Sequence, residues 1–347
     1  MMHTDDIDND NTIMDPDMTR VKSFTPRRIL SLVVRLSVTI ALVVWICQSI
    51  DWGIFKQIVI SPQPAPLAAF IAFSLFFVFL GGLKLWILLR SFHPMGLWRF
   101  SVYFFLASAI GSLIPSIFGD FTLAALMKRS RIAYHKSISI IVLDRFLTLI
   151  LAVFVFTPVT LVLVLPVSAL KIGVLTMVTL ITSILVSWLS ASMLPRIFNQ
   201  FATIRDFWGT IGDFIRHDRL SLWMNVGVGF FRGCISGVAL AFALMAANLQ
   251  PALFQTICIA NSLAVVTHIP VSISGMGLYE GGGMFLFERI GLQREMVLAG
   301  LLYQRAYILI WSVVTIIILG AIILVRRQRR QREDFQERNQ PLSELPP

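Results

Sequence analysis

Apolar residues dominate residues 29–50, 67–89, 137–156, 169–189, 222–245 and 297–325 on every side of a 3.6-residue period, not on one face of it. A helix that is apolar all round belongs in a core or in lipid, and about 20 such residues match a hydrocarbon layer ~30 Å thick. These six segments are predicted to be transmembrane helices. Two further apolar stretches, 100–127 and 253–290, are interrupted by proline and glycine: Pro115 and Gly119 in the first, Pro270, Gly275, Gly277 and Gly281 to Gly283 in the second. Residues 196–219 differ, because Ile197, Phe201, Ile204, Trp208, Ile211 and Ile215 recur at spacings of three and four. That spacing marks one face of an amphipathic helix, lying in the membrane interface or docked on the protein. Segments of about ten alternating residues, the mark of a membrane β-barrel, are absent.

The polar positions between these runs fix a topology. Lys and Arg gather in patches at residues 20–28, 90–99, 128–136, 196–219 and 326–338. Placing them all on the cytoplasmic side orients the chain with both termini inside. Both flanks of 100–127 are then cytoplasmic, and both flanks of 253–290 are external. Each broken stretch is predicted to be a re-entrant helical hairpin, one entering from each face, as an inverted repeat produces in secondary transporters. Lys84 and Arg35 lie close enough to cytoplasmic ends to snorkel, and residues 51–66 form a short outer loop. The expected fold is an all-α polytopic membrane protein of about six full spans plus two oppositely oriented re-entrant hairpins. It divides into a disordered acidic N-terminal tail (1–28) with a basic juxtamembrane end, one integral domain (29–325), and a basic polar cytoplasmic tail (326–347).

Composition agrees: 56% of the 347 residues are hydrophobic and 14% charged, which excludes a soluble domain with a polar surface. The net charge of +10 invites a nucleic-acid reading, but its placement beside apolar spans fits anionic lipid head groups, and no nucleic-acid partner is expected. The plasma (inner) membrane is the expected location. The first apolar run starts near Ile29 and lacks a small-residue cleavage site, so it is read as an anchor and not as a signal peptide. Cys47, Cys234 and Cys258 sit in apolar stretches at no metal or disulfide spacing.

Candidate chemistry lies in a spacing that occurs twice. Asp120 follows Pro115 and Gly119 and precedes Arg145 by 25 residues; Glu280 follows Pro270, Gly275 and Gly277 and precedes Arg305 by 25. Ionisable groups inside apolar segments are expensive and mark ion or substrate paths. Proline removes a backbone donor, glycine lets backbone or ligand approach, and a helix start favours an anion. Each acid therefore either caps its hairpin helix and pairs with its arginine, or meets a substrate or proton. Arg232 stands near the middle of 222–245, with Glu280 as its expected protein partner and a phosphate head group as the functional alternative. Lys128, Arg129 and Arg131 form an inner basic surface suited to gathering head groups. No phosphate loop, His-Glu-x-x-His or serine elbow occurs, the five histidines are scattered, and neither a cofactor, a metal nor an enzymatic reaction is expected.

Leu113-Ile-Pro115-x-x-x-Gly119-Asp120, Leu143-Asp144-Arg145, the run from Ile269 through Glu280 and Gly281, and Arg305 resemble the membrane region of lysylphosphatidylglycerol synthases and the flippase-like proteins related to it. The resemblance spans about residues 29–327. That family more often has Gly-Glu and Glu-Arg where this chain has Gly119-Asp120 and Asp144-Arg145, which preserves charge and shortens reach. The resemblance implies translocation of an anionic or modified phospho- or polyprenyl-lipid between leaflets. Only residues 326–347 follow the last span, so lipid aminoacylation is not expected. The competing readings are sugar or acyl transfer on a lipid carrier, with Asp120 or Glu280 as base, and a noncatalytic partner of a lipid-modifying enzyme.

Overall fold

The computed structural model of the protein describes residues 26–91, 93–113, 116–128, 132–164, 218–267 and 275–338, with a few isolated positions between them. The expected span 169–189, most of the amphipathic segment 196–219, the N-terminal tail, and Pro115, Arg129, Arg131 and Pro270 lie outside the described residues. Every regular element among the described residues is helical. In chain order these are α1 (Pro26–Gln48), α2 (Trp52–Ile60), α3 (Pro64–Arg90), α4 (Leu97–Leu113), α5 (Ser116–Lys128) and α6 (Tyr134–Leu151). A π-helical turn (Ala152–Phe156) then leads to α7 (Thr157–Val164), α8 (Arg219–Ala246), α9 (Leu253–Thr267), α10 (Leu278–Arg289) and α11 (Arg294–Arg338).

Four of these stretches are long and apolar enough to cross a membrane: Pro64–Arg90, Lys136–Val164, Arg219–Ala246 and Arg294–Ile322. A fifth is reached if Leu36–Gln48 and Trp52–Ile60, bent by 95°, count as one. Together they make the protein an integral membrane protein. Ile310, Val313, Ile317 and Ile318 on α11 and Val142, Phe146 and Ile150 on α6 face outward, the apolar exterior that a lipid solvent requires.

The frame is an antiparallel pair, α3 and α8, in register along its whole length. At one end Gln63 N donates to Ala246 O (3.0 Å) and Gln63 Nε2 to Asn248 Oδ1 (2.7 Å); at the other Ser91 Oγ donates to Asp218. The two ends of α4–α5 gather at the Ser91–Asp218 end, where Met95, Phe100, Met127 and Ile132 pack with Leu85, Leu88 and Leu89. The ends of α9–α10 gather at the other, where Leu249, Ile259 and Phe287 pack with Leu244, Val297 and Leu298.

Glycine brings these helices close. A Cβ on Gly119 would lie 2.7 Å from Ala107 O and 2.8 Å from Gly111 Cα, so α5 crosses α4 at backbone contact. Gly237 of α8 leaves no room for a Cβ against the Ile257 backbone of α9. Gly237→Val is therefore expected to cost at least the ~1–3 kcal/mol of an overpacked core, read as a lower unfolding midpoint in detergent, whereas Gly227→Val, with open space around it, is expected to cost less than that.

Two expectations are corrected here. Residues 51–66 are not a plain loop: Asp51 accepts from Gly53 N (2.8 Å) and Ile54 N (3.2 Å) and starts α2, which buries Ile58 against Ala247 and Ala299. The span expected to stop near Phe156 continues to Val164 past Pro158. The π-helical turn makes this possible, because Thr157 N and Oγ1 both donate to Ala152 O and re-space the ladder just before the residue that has no N–H.

Asp218 caps α8 through Ser221 N (3.1 Å). Partial desolvation raises its carboxyl pKa, but hydrogen bonds from Ser91 and Ser221 and the Arg90 charge outweigh this and hold it below the ordinary carboxylate value. Its contribution is thus complete above the unfolded pKa of about 3.9 and is lost as pH falls through the lower folded value. Asp218→Ala is expected to cost about 1 kcal/mol near neutral pH, and less once pH falls through the lowered folded value.

Candidate functional site

Both halves of the repeated spacing close into ion pairs. Arg145 Nη2 meets Asp120 Oδ1 at 2.9 Å, and Arg305 Nε meets Glu280 Oε1 at 2.7 Å. Arg145 and Arg305 each lie eleven residues beyond the first residue of their helices, Tyr134 of α6 and Arg294 of α11. At 1.5 Å per residue that is about 16 Å, roughly half the thickness of a hydrocarbon core. The arginines therefore sit three turns into their helices.

The two pairs differ in packing. Glu280 is 8% exposed and fully engaged: Oε2 accepts from Gly277 N at 2.8 Å, the carboxylate half of a capping box at the start of α10. Gly275 and Gly277 have φ of +73° and +80°, so the turn into α10 uses conformations open to glycine. Gly277 also leaves room only for Leu42 of α1. The Arg305 guanidinium lies 5.3 Å from the Tyr279 ring, and Tyr279 Oη donates to Gln304 Oε1 at 3.0 Å. Arg305 Nη2 is buried without an acceptor. Asp120, one turn into α5, is 31% exposed, and Arg145 is more exposed still. Lys128 closes the last turn of α5 with its side chain exposed, at the Ser91–Asp218 end.

Lys84 does not snorkel. It is 3% exposed, its Nζ 3.0 Å from Asp144 Oδ1 and donating to Thr148 Oγ1, whose own hydroxyl donates to Asp144 O at 2.8 Å. A buried carboxylate on α6 outcompetes the interface as partner for the lysine nitrogen. Asn225 of α8 completes the cluster, its Nδ2 donating to Asp144 Oδ1 (2.9 Å) and to Lys84 O (2.8 Å); its Oδ1 is buried with no donor. The sequence signal for this cluster was three polar residues deep inside apolar spans. Reading Lys84 by its distance from a helix end, and Asp144 as the flank of Arg145, concealed it.

Nor does Arg232 meet Glu280, whose oxygens Arg305 and Gly277 already occupy. Arg232 of α8 lies two turns from Asn225, with its guanidinium 3.8 Å over the Phe77 ring and Nε donating to Phe77 O at 3.3 Å. Gly81 permits this approach, since a Cβ there would lie 3.1 Å from Nε. Among the described residues Arg232 forms no ion pair with a carboxylate. Around it Lys84, Arg145 and Arg232 face Asp144 and Asp120, three basic side chains against two acids. An arginine held only by a carbonyl and a ring face keeps donors free for an anion.

No three His, Cys, Asp or Glu side chains converge as a metal site among the described residues. Pro115, Pro270, Arg129 and Arg131 lie outside the described residues, so the geometry assembles Asp120, Arg145, Gly119, Gly275, Gly277, Glu280, Arg305 and Arg232 in three places and adds Lys84, Asp144, Thr148 and Asn225. Comparison with curated proteins finds no match. Residues 32–322, nearly the whole of the expected resemblance and carrying both acid–arginine pairs, match the family model for the lysylphosphatidylglycerol synthase TM region, and the chain belongs to that family.

Proposed function

We propose that the protein moves an anionic or modified lipid, a phospholipid or polyprenyl phosphate, between the leaflets of the plasma (inner) membrane, with both termini cytoplasmic. The observation that carries this reading is Arg232 near the middle of α8, whose guanidinium rests on the Phe77 carbonyl and ring and has no carboxylate partner among the described residues. A half-buried cation at this depth needs an anion or water, and a phosphate head group supplies the anion. The helices of the two pairs support it. At 17, 13, 15 and 12 residues, α4, α5, α9 and α10 reach about 26, 20, 23 and 18 Å, each short of a full ~30 Å crossing. In this account they are re-entrant hairpins of an inverted repeat, entering from opposite faces. Asp120 and Glu280 hold or release the arginines as the passage opens, and Lys128, Arg129 and Arg131 recruit head groups from the cytoplasmic leaflet.

In this reading the protein carries out no covalent step, and a lipid-modifying enzyme fits as a partner. Proteoliposomes carrying a fluorescent phosphatidylglycerol test it. Protein is expected to speed the loss of dithionite-protected fluorescence over protein-free vesicles while the mass of the lipid stays unchanged. No acceleration for any anionic lipid, or a new lipid mass when a sugar or acyl donor is supplied, would contradict it.

A further inference from the structure

The cluster around Lys84 has a chemistry that anion binding alone does not use. Lys84 Nζ faces two acceptors, Asp144 Oδ1 and Thr148 Oγ1. An uncharged amine has two N–H bonds, and these acceptors take both; an ammonium carries a third. The acceptor left over in the cluster is Asn225 Oδ1, buried and without a donor, on the amide that holds both Lys84 O and Asp144 Oδ1.

Charge balance favours the same state. The groups facing Lys84 are Asp144 and Arg145 from α6 and Arg232 from α8, with Asp120 of α5 held on Arg145; α4 presents Phe104 against Gly81 and Gly82, and its Tyr103 lies beside Arg99. With Lys84 uncharged, two arginines face two carboxylates. With Lys84 charged, one cation is in excess in a medium that penalises it. Guanidinium does not give up its proton, so lysine is the member of this set that can.

We propose that Lys84 is a proton-exchange site: uncharged in the empty protein, its amine takes one proton when a phosphate-bearing anion binds at Arg232 and gives it back when the anion leaves. The anion's added negative charge favours the ammonium, and the bond made and broken is Nζ–H. Lipid movement is then coupled to proton movement. This rests on the lipid-translocation reading above.

The test is calorimetric titration of the full-length protein in detergent with dihexanoyl-phosphatidylglycerol, in two buffers of different ionisation enthalpy. The expected result is uptake of about one proton per lipid, with affinity falling up to about tenfold per pH unit as pH rises between the pKa values of the empty and filled states. Lys84→Arg, fixed charged, and Lys84→Met, fixed uncharged, are both expected to abolish the uptake while binding persists. Two variants, one fixed in each charge state, separate proton exchange from a packing defect. Glycerol 3-phosphate in place of the lipid distinguishes the source of the anion: uptake with both supports the site with a free phosphate ester as ligand, and uptake with the lipid alone supports it with a lipid. Binding by the wild type without proton uptake, or uptake that survives in both variants, overturns the inference and leaves translocation standing. Absence of both binding and leaflet exchange overturns the translocation reading and this inference with it.

Discussion

Asp144→Ala is expected to destabilise the protein by about 3–5 kcal/mol, the usual cost of removing one member of a buried charged cluster. The carboxylate accepts from Lys84 Nζ and Asn225 Nδ2, and it faces a belt that holds two further arginines. Deletion takes from Lys84 Nζ and Asn225 Nδ2 one of their two acceptors each and leaves the neighbouring cations uncompensated. Asp144→Asn retains an oxygen at the acceptor position and loses only the charge, so its cost is expected to be smaller, about 1–3 kcal/mol. The unfolding midpoint of the detergent-purified protein reads both. An Asp144→Ala variant that unfolds with the wild type would mean that water, not packing, fills the space around Lys84.

The second large effect distinguishes the two acid–arginine pairs. Glu280 is buried, engages Arg305 and caps α10 through Gly277 N. Glu280→Ala removes both interactions and leaves Arg305, one of whose nitrogens already lacks an acceptor, charged inside the protein. A loss of about 3–5 kcal/mol is expected. Asp120 and Arg145 are only half-covered, so if they line a wet passage Asp120→Asn is expected to cost no more than about 1 kcal/mol while slowing leaflet exchange. The informative outcome is the pairing of readouts, with stability falling for Glu280→Ala and transport falling for Asp120→Asn. A large stability loss in Asp120→Asn would place that pair in lipid or a dry core, and the passage would have to run elsewhere.

The part of this architecture legible in the sequence was the part carried by periodicity and by one-to-one pairing. Runs apolar on all sides gave the long helices, and the Asp120–Arg145 and Glu280–Arg305 pairs followed from an acid and a base repeated at one spacing. What escaped depended on where distant helices meet. Lys84 looks like a snorkelling residue until α6 brings Asp144 to it and α8 brings Asn225. Arg232 looked for Glu280 because its alternative, the Phe77 carbonyl and ring, carries no charge and leaves no mark in a charge-based reading. The helix Trp52–Ile60 was hidden because its apolar face packs on Ala247 and Ala299, residues some two hundred positions away. The span expected over 137–156 runs on past Pro158, and only the π-helical turn before that proline shows how the helix continues.

The central claim is that Arg232 receives the anionic head group of a lipid in transit, and its most direct test is the initial rate of leaflet exchange by Arg232→Gln in proteoliposomes. Removal of one charged contact worth about 1.5–3 kcal/mol predicts a rate for fluorescent phosphatidylglycerol reduced by about ten- to a hundredfold, with Arg232→Lys retaining part of it and the unfolding midpoint of each variant reported alongside. Exchange at the wild-type rate by a folded Arg232→Gln protein would contradict the account.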